Sequence, residues 1–363
     1  MSSFAKFVPP PTFLTMPCVG VDISDTSLKY MSFVAETNMD GSKKIKQWGD
    51  IDIPTGVVQR GHVVDQEKLS AVLQEFKAAT GAEFVRVSLP EERAYLFETT
   101  IKKGTPLKEI RGLLEFRLEE NVPIPSKDVF FDYTIIPETE DTKSIRVAVV
   151  AYAKETIQHY YDACVAAGLH PVSFEVEAQA MARAVIPNDS VGSTMLVDFG
   201  KTRTGIGIVH RGVLLYTSTI DVGGDALSQA LRRMLGEELS EQELTELKNT
   251  QGLIRGVEKS EVSDTLLSTI SVVKDELATR MQYWHLRNNN SDERRISSIQ
   301  LTGGSSNLKG LPAYLTETLG VTAVRANVWE NSLSLENTVP PIGRRLSFGY
   351  ATAIGLAIGI SEQ

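Results

Sequence analysis

The fold is decided by one stretch near the start of the chain, Cys18-Val19-Gly20-Val21-Asp22-Ile23-Ser24-Asp25-Thr26-Ser27-Leu28-Lys29-Tyr30. Small and apolar residues predict a short strand that ends in a carboxylate, followed by a turn and a second strand. The arrangement recurs at Met195-Leu196-Val197-Asp198-Phe199-Gly200, where Asp198 takes the place of Asp22. The two copies are much further apart than the roughly 20–50 residues of solenoid repeats. The pattern therefore predicts a fold with two duplicated halves.

The composition excludes several other classes of protein. The chain has 363 residues, 42% hydrophobic and 23% charged, which is typical of a globular protein with two or more domains. Asp and Glu number 46 against 37 Lys and Arg, so the net charge of −9 argues against nucleic acid as a partner. Two cysteines, Cys18 and Cys164, indicate neither a disulfide framework nor a zinc site. A reducing, cytoplasmic location is the simplest interpretation.

No segment predicts direct membrane insertion. The longest stretch of low charge, Leu346–Ile360, contains Ser, Thr and Gly and is shorter than the roughly 20 apolar residues of a spanning helix. Pro9-Pro10-Pro11 stands where a signal peptide would have its apolar core. Residues 1–16 are therefore expected to form an extended N-terminal arm.

The region between the two copies has a different pattern. A helix is expected over Lys108–Glu120, strands over Val129–Ile136 and Ile145–Tyr152, and a second helix over Lys154–Ala167. This order predicts a small helix–strand–strand–helix insertion. After the second copy, three helices are expected over Asp225–Leu235, Glu241–Asn249 and Val262–Leu286. A strand that ends in the glycine pair Gly303-Gly304 is expected to follow them.

Three strand ends are candidates for binding a ligand. A carboxylate such as Asp22 or Asp198 at a buried strand end needs a cation, hydrogen-bond donors or water. Two facing turns of this kind would clamp a phosphate chain with N–H groups and hydroxyls while the carboxylates hold hydrated Mg²⁺. Gly303 and Gly304 would let the backbone approach a flat ring closely. Ordinary β-turns use the same residue types, so the prediction depends on all three strand ends in this order.

The ordered set resembles the actin-like ATPase superfamily, which includes actin, FtsA, chaperone ATPase domains and sugar kinases. Val19–Ile23 with Lys29 resembles its first phosphate motif. Met195–Gly200 with Thr204 resembles the second phosphate motif, and Leu301–Gly304 resembles the adenosine motif. Two segments rich in small residues, Glu175–Val185 and Ser347–Ile360, resemble its connecting helices, because small faces let helices cross closely. The implied fold class is α/β: an actin-like, ribonuclease-H-like duplicated fold of two lobes with a small α/β insertion subdomain.

Within that superfamily, nearly the whole chain resembles the PilM proteins of type IV pilus assembly, which are related to FtsA. The segments that carry this resemblance, besides the opening strand and turn, are Pro9–Phe13, Val122–Pro125, Asp132-Tyr133, Ala167–Pro171, Ile220–Asp225 and Tyr350–Leu356. FtsA normally ends in an amphipathic membrane helix, whereas this sequence stops three residues after Ile360. The resemblance to PilM is therefore preferred.

The resemblance also implies subdomain bounds. They are an N-terminal arm (1–16), a first lobe 1A (17–90, 173–190 and 346–363), an inserted subdomain 1C (91–172), a second lobe 2A (191–225 and 297–345) and a helical subdomain 2B (226–296).

The function implied is that of a cytoplasmic scaffold of the pilus inner-membrane platform that binds ATP and closes its lobes around it. The resemblance implies that it contacts other platform proteins and binds the cytoplasmic N-terminal peptide of a PilN-like membrane protein, which would hold it at the inner membrane. Candidate partner contacts are Phe116, Phe130 and Tyr133, unless these belong to the insertion's core. Two alternatives stay open: a cell-division protein resembling FtsA, and a phosphotransferase of the sugar-kinase branch.

The resemblance assigns roles to particular residues. Asp22 and Asp198 would hold water bound to Mg²⁺. Phosphate contacts are expected from Ser24, Ser27 and Lys29 in the first turn and from Gly200, Thr202 and Thr204 in the second. Adenosine contacts are expected from Gly303, Gly304, Glu246 and Lys248. Glu177 stands where relatives orient the attacking water, with Gln179 as the neighbouring alternative.

Two departures from the superfamily bear on catalysis. Ser24 stands where many relatives have glycine, and Lys201-Thr202-Arg203 replaces a glycine-rich run. The two basic side chains would neutralise phosphate charge but would also crowd the space for water and metal. No general base is evident, so the expected activity is at most a slow ATPase.

Overall fold

A computed structural model describes residues 16–34, 41–137, 143–253 and 261–359 of the chain. The expected N-terminal arm lies almost wholly outside the described residues, as does the proline-rich segment Pro9–Phe13.

The strands, in chain order, are β1 (Cys18–Ile23), β2 (Ser27–Phe33), β3 (Ile45–Asp52), β4 (Val58–Gln59), β5 (His62–Val63), β6 (Phe84–Leu89), β7 (Tyr95–Lys102), β8 (Val129–Ile135), β9 (Ser144–Ala153), β10 (His170–Val176), β11 (Ser193–Phe199), β12 (Thr204–His210), β13 (Val213–Ile220), β14 (Ile296–Thr302) and β15 (Thr322–Arg325). The α-helices are α1 (Gln66–Thr80), α2 (Leu107–Asn121), α3 (Lys154–Ala166), α4 (Glu177–Val185), α5 (Gly224–Leu235), α6 (Glu241–Thr250), α7 (Glu261–Arg287), α8 (Leu311–Leu319), α9 (Arg344–Ser347) and α10 (Ala351–Ile358).

Two five-stranded sheets with the same strand order form the centres of the two lobes. The first has the order β10-β6-β1-β2-β3 and the second the order β15-β14-β11-β12-β13. In each sheet the central strand pairs antiparallel with the next strand of its hairpin and parallel with a later strand, β1 with β6 and β11 with β14. The second lobe therefore repeats the first, and the duplicated α/β fold expected from the sequence is confirmed.

The connecting helices α4 and α10 cross at a very short distance. A Cβ on Gly355 of α10 would overlap the backbone oxygen of Ala180 in α4, and one on Gly20 of β1 would overlap the backbone of α10 at Ala353. Ala180 and Ala353 are fully buried at this crossing. The expectation that small residues let the two helices approach closely is therefore confirmed.

The insertion differs from the expected helix–strand–strand–helix order. It begins with β7, which the sequence does not predict, and β7 pairs with β9 in the three-stranded sheet β7-β9-β8. Helix α2 covers this sheet with Ile110, Leu114 and Leu118, which share a small core with residues of β7 and β9.

The insertion contacts both lobes. Tyr160 and Cys164 of α3 are buried in the core of the first lobe, while Ala148 of β9 joins the core of the second. The Arg294 guanidinium, almost completely buried in the second lobe, donates at 2.7 Å to the Glu98 carboxylate of β7. The subdomain bounds given above remain predictions, because side-chain packing distributes residues 91–172 among three cores.

No helix within the described residues is both long enough and apolar enough to cross a bilayer.

The helix crossing gives a test of the fold. We expect Gly355→Ala to lower the free energy of unfolding by about 1–3 kcal/mol, because the new methyl group meets rigid backbone and not a movable side chain. The control is Gly112→Ala in helix α2, where a Cβ would meet no atom within 4 Å. There alanine should raise the free energy of unfolding by about 0.5–1 kcal/mol. Urea unfolding monitored by circular dichroism measures both, and equal stability of the two variants would contradict the close crossing.

Candidate functional site

Four carboxyl groups lie at the carboxyl ends of parallel strands. Asp22 is near the end of β1, Glu91 follows β6 and Glu177 follows β10, and these three strands are neighbours in the first sheet. Asp198 occupies the position of Asp22 in the second sheet, near the end of β11. A Cβ on Gly205 of β12 would lie 1.9 Å from Glu91 Oε1 of the first lobe and 3.7 Å from Asp198 Cβ, so acids of the two lobes approach each other there. The two lobes therefore present their acids to one shared cleft.

Asp22 and Asp198 have matching surroundings. The Ser88 hydroxyl donates to Asp22 Oδ1 at 2.9 Å, and the Thr302 hydroxyl donates to Asp198 Oδ1 at 3.2 Å. Burial raises the pKa of both carboxyls, that of Asp198 to about 6, while the positive charge of Lys29 opposes the rise. Each aspartate is half-buried and so keeps a face accessible from the cleft.

Glu91 and Glu177 form a carboxyl pair behind the aspartates. Burial raises the pKa of Glu91 to about 8, and burial together with the charge of Glu91 raises the pKa of Glu177 well above its ordinary value. The charge of one carboxyl disfavours ionisation of its neighbour, so the pair resists carrying two negative charges. Glu91 Oε1 lies against Gly205, where a Cβ would overlap it, and Glu91 Oε2 has no hydrogen-bond partner.

The first turn places its polar groups together. Ser24 Oγ accepts from the Ser27 N–H at 3.1 Å and lies 3.3 Å from Ser27 Oγ, which in turn accepts a hydrogen bond from Lys29 Nζ. Two hydroxyls and an ammonium group therefore stand beside Asp22, as the sequence predicts for this stretch of chain.

The second turn is connected to the glycine turn after β14. The Gly200 carbonyl accepts from the Ser305 hydroxyl at 2.9 Å. Thr204 is fully buried, and its hydroxyl donates to the Val222 carbonyl at 2.6 Å, so it already has a partner in the loop after β13. Thr202 is exposed at the tip of the turn.

Arg203 joins the lobes across the cleft. Its guanidinium forms ion pairs with Asp25 of the first turn and with Glu92, which follows β6. A second ion pair between the lobes joins Arg60 to Asp221 at 2.7 Å. The sequence suggests that Arg203 neutralises phosphate, but in this structure its charge is compensated by two carboxylates of the protein.

The glycine turn brings backbone close to Asp198. Gly303 has a φ of +80°, and a Cβ there would lie 2.7 Å from Asp198 Oδ1, so both the conformation and the space require glycine. No atom lies within 4 Å of where a Gly304 Cβ would be, which leaves the turn open on that side.

The structure separates the two predicted contacts on α6. Lys248 Nζ donates to the Ser228 hydroxyl of α5 at 2.9 Å, whereas Glu246 is exposed. Residues two apart on a helix point to different sides, so the two side chains cannot serve the same face. Gln179 donates to the Gly212 carbonyl and accepts a hydrogen bond from the Leu214 N–H. Of the two side chains predicted on α4, Glu177 is therefore the one that lies with the other acids of the cleft.

The sequence interpretation missed Glu91 and Glu92. Their signal is Leu89-Pro90-Glu91-Glu92, in which two acids directly follow a strand. Carboxyl ends of neighbouring parallel strands meet at one edge of a sheet, so an acid after β6 comes to lie near an acid at the end of β1. This signal requires the pairing of β6 with β1, which the sequence does not give.

The carboxylates fit a magnesium ion that keeps its water. Among the described residues, no three His, Cys, Asp or Glu side chains are arranged to chelate a metal directly. Mg²⁺ usually retains several waters and takes few protein carboxylates, which agrees with one accessible aspartate from each lobe. Glu91 Oε2 is buried without a hydrogen-bond partner, and a cation or its bound water would supply one.

Comparison with known proteins gives the family. A family model described as type IV pilus assembly protein PilM matches residues 20–360. The chain belongs to the PilM family. It is a type IV pilus assembly protein with an actin-like fold, and this favours the pilus interpretation over a protein like FtsA or a sugar kinase.

Solved structures agree on the fold of this PilM-family chain. A chain of a PilM–PilN type IV pilus biogenesis complex has a TM-score of 0.74 at 22% identity, covering 94% of this chain and 98% of that one. The ethanolamine utilization protein EutJ from Carboxydothermus hydrogenoformans has 0.50 at 16% identity, covering 97% and 90%. An MreB protein of Spiroplasma citri bound to ADP has 0.51 at 12% identity, covering 86% and 92%. These likenesses show the actin-like fold.

The carboxyl pair predicts how stability depends on pH. Folding raises the pKa of Glu91 from 4.5 to about 8, so the folded state binds more protons than the unfolded state between these pH values. The contribution of Glu91 to the free energy of unfolding therefore falls as the pH rises through this range. The charges of the facing acids Glu92, Asp198 and Asp22 act in the same direction, whereas a hydrogen bond with Glu177 opposes the rise. Glu91→Gln should therefore stabilise the protein at pH 8 and have little effect at pH 5.

Urea unfolding at pH 5, 6.5 and 8 measures this difference. The control is Glu317→Gln in helix α8, where the side chain is exposed. The effect of this substitution on the free energy of unfolding should not depend on pH. A Glu91→Gln variant whose stability follows that of the original protein at every pH would show that folding does not raise the pKa of Glu91.

Proposed function

We propose that this chain is an ATP-binding scaffold of the type IV pilus inner-membrane platform. One observation carries the nucleotide part: Asp22 and Asp198 lie near the ends of equivalent strands of the two sheets, and Glu91 of the first lobe lies against Gly205 beside Asp198. The MreB relative bound to ADP supports a nucleotide in a cleft of this fold. The ligand would be ATP with Mg²⁺.

The residues around the cleft suit the parts of such a ligand. Ser24, Ser27 and Lys29 would donate to phosphate oxygens from the first lobe, and the turn of Gly200 and Thr202 from the second. The adenosine would lie on the open side of the Gly303-Gly304 turn, near Lys248. Mg²⁺ would neutralise phosphate charge, with Asp22 and Asp198 binding its water ligands. Thr204 would support the second turn from behind.

Hydrolysis would be slow or absent. Glu177 is the side chain best placed to orient water, but its pKa is raised well above the ordinary value by burial and by Glu91. A carboxyl whose ionised form is disfavoured is less available as a general base. ATP would therefore act mainly as a conformational ligand.

Closure of the lobes would depend on competition for Arg203. Its guanidinium now pairs with Asp25 and Glu92, and phosphate oxygens entering the cleft would offer it a third anionic partner. A ligand shifts a conformational equilibrium only by its difference in affinity for the two states. Exchange of these ion pairs would supply such a difference.

The partner would be the cytoplasmic N-terminal peptide of a PilN-like membrane protein. The structural neighbour from a PilM–PilN complex supports this, and such a partner would hold the chain at the inner membrane in the cytoplasm. Phe116 of α2 is 76% exposed and Phe130 of β8 is 47% exposed, so both are available for contacts, whereas Tyr133 packs against the insertion's core. Contacts with other platform proteins belong to the same proposal.

The nucleotide site is tested by Asp22→Ala. Removing this carboxylate should abolish the binding of ATP with Mg²⁺ measured by isothermal titration calorimetry, because a ligand of the hydrated metal is lost. The matched control, Asp292→Ala, changes an aspartate whose side chain is 95% exposed and should leave binding unchanged. Unchanged affinity in a folded Asp22→Ala protein would exclude this site.

The partner is tested with a fluorescent peptide of the PilN-like protein. We expect saturable binding by anisotropy for the natural peptide and none for a scrambled one. Phe116→Ser with Phe130→Ser should weaken binding if these exposed rings make the contact, and Leu286→Ser, on an exposed position of α7, is the control. Equal binding of the natural and scrambled peptides would contradict a specific partner.

A further inference from the structure

The two-residue turn Arg60-Gly61 joins β4 to β5 and has a strained backbone. Gln59 pairs with His62 across it, and both turn residues lie in the left-handed region, with φ of +48° for Arg60 and +66° for Gly61. Tight hairpins of this kind usually place Asn, Asp or Gly at the first position, because other side chains cost free energy there. A residue such as Arg60 keeps this conformation only where the surrounding structure holds it.

Side chains from three other segments hold this turn. The Asp25 carboxylate accepts hydrogen bonds from the N–H groups of Arg60 at 3.0 Å and of Gly61 at 3.2 Å. Arg93 Nε donates to the Arg60 carbonyl at 3.2 Å. The buried Tyr160 hydroxyl donates to the Gly61 carbonyl, also at 3.2 Å. All four backbone polar groups of the turn are therefore bonded to side chains that are distant in sequence.

These contacts connect three parts of the molecule. Asp25 lies in the first turn of the cleft, where it also forms an ion pair with Arg203 of the second lobe. Tyr160 belongs to helix α3 of the insertion. The Arg60 guanidinium itself pairs with Asp221 of the second lobe at 2.7 Å. The cleft, the second lobe and the insertion therefore all contact this one turn.

The turn has little room in which to move independently. A Cβ on Gly61 would lie 2.3 Å from the Cβ and Cγ atoms of Pro90, so the turn packs directly against the segment that carries Glu91. A change in the contact between Asp25 and the turn would therefore also change the contacts that the turn makes with its other neighbours.

We propose that the Arg60-Gly61 turn is a switch that links the ion pairs of the cleft to helix α3 of the insertion. In its held state, both N–H groups of the turn bind Asp25. In its relaxed state, Arg60 leaves the left-handed region and Tyr160 loses its acceptor. A hydrogen-bond network with two discrete arrangements is able to couple distant parts of a protein.

The partners of the Asp25 carboxylate decide between the two states. Arg203 now shares this carboxylate with the two N–H groups of the turn. When Arg203 leaves, the carboxylate keeps its full charge for the N–H groups, and hydrogen bonds to an ionised acceptor are the stronger ones. Loss of the Arg203 ion pair therefore favours the held state and protects α3. Only the proposed cause of this loss, the phosphate of bound ATP, rests on the proposed function.

The first experiment measures hydrogen–deuterium exchange in α3 without nucleotide. Arg203→Gln should slow the exchange about threefold and Asp25→Asn should speed it about fivefold, because the hydrogen bonds that hold the turn are strengthened or weakened. In a Tyr160→Phe background, Arg203→Gln should leave exchange in α3 unchanged. The matched control is Arg232→Gln, which breaks an ion pair with Glu241 in the second lobe and should not affect α3. Helix α8 is the reference for global unfolding.

The second experiment adds ATP with Mg²⁺ to the original protein and to Tyr160→Phe. Both should bind the nucleotide equally by calorimetry, because the Tyr160 hydroxyl bonds the turn, but only the original protein should show slower exchange in α3. If neither protein binds ATP, the proposed nucleotide site fails, while the first experiment still decides about the switch. If Arg203→Gln does not slow exchange in α3, or slows it equally without the Tyr160 hydroxyl, the switch is overturned.

Discussion

Electrostatic repulsion among four acids is the constraint on which the cleft depends. Asp22, Glu91 and Glu177 meet there because the carboxyl ends of parallel strands lie at one edge of the first sheet, and Asp198 of the second sheet approaches Glu91 at Gly205. The structure compensates the charge by a lysine and by hydroxyl donors, and burial raises the pKa of the two glutamates, which favours their uncharged forms. A hydrated cation would complete this compensation and would also neutralise the charge of a bound phosphate chain. The chemistry of the proposed ligand follows from the charge that the protein leaves uncompensated.

The two lobes are coupled by contacts of different strength. Helices α4 and α10 meet backbone to backbone at Gly355, so their crossing is rigid. The insertion adds the buried pair of Glu98 and Arg294, which is costly to break once it is desolvated. The ion pairs of Arg203 lie at the cleft itself, where the proposed ligand would compete with them. Movement of the lobes would therefore be easiest near the cleft and hardest at the helix crossing.

Much of the fold could be predicted from local patterns, whereas strands that depend on distant pairing could not. The repeated strand and turn around Asp22 and Asp198 identified both halves, and small residues identified the connecting helices. Strand β7 was missed because its partner β9 is distant in sequence. Strand β10 was missed because Pro171 interrupts its strand pattern, and the pairing of β10 with β6 shifts register after this residue. The residue types of such strands carry a weak signal until their neighbours are in place.

The sequence by itself determined the duplicated fold, the two aspartates and the three turns, because strand, turn and helix patterns are local and repeat within the chain. Only the tertiary structure decided which other side chains reach the cleft. It brought in Glu91, separated Glu246 from Lys248, and used Arg203 to join the lobes. These results depend on distances between residues far apart in the chain, and on the burial that sets their charge. No local pattern contains either quantity.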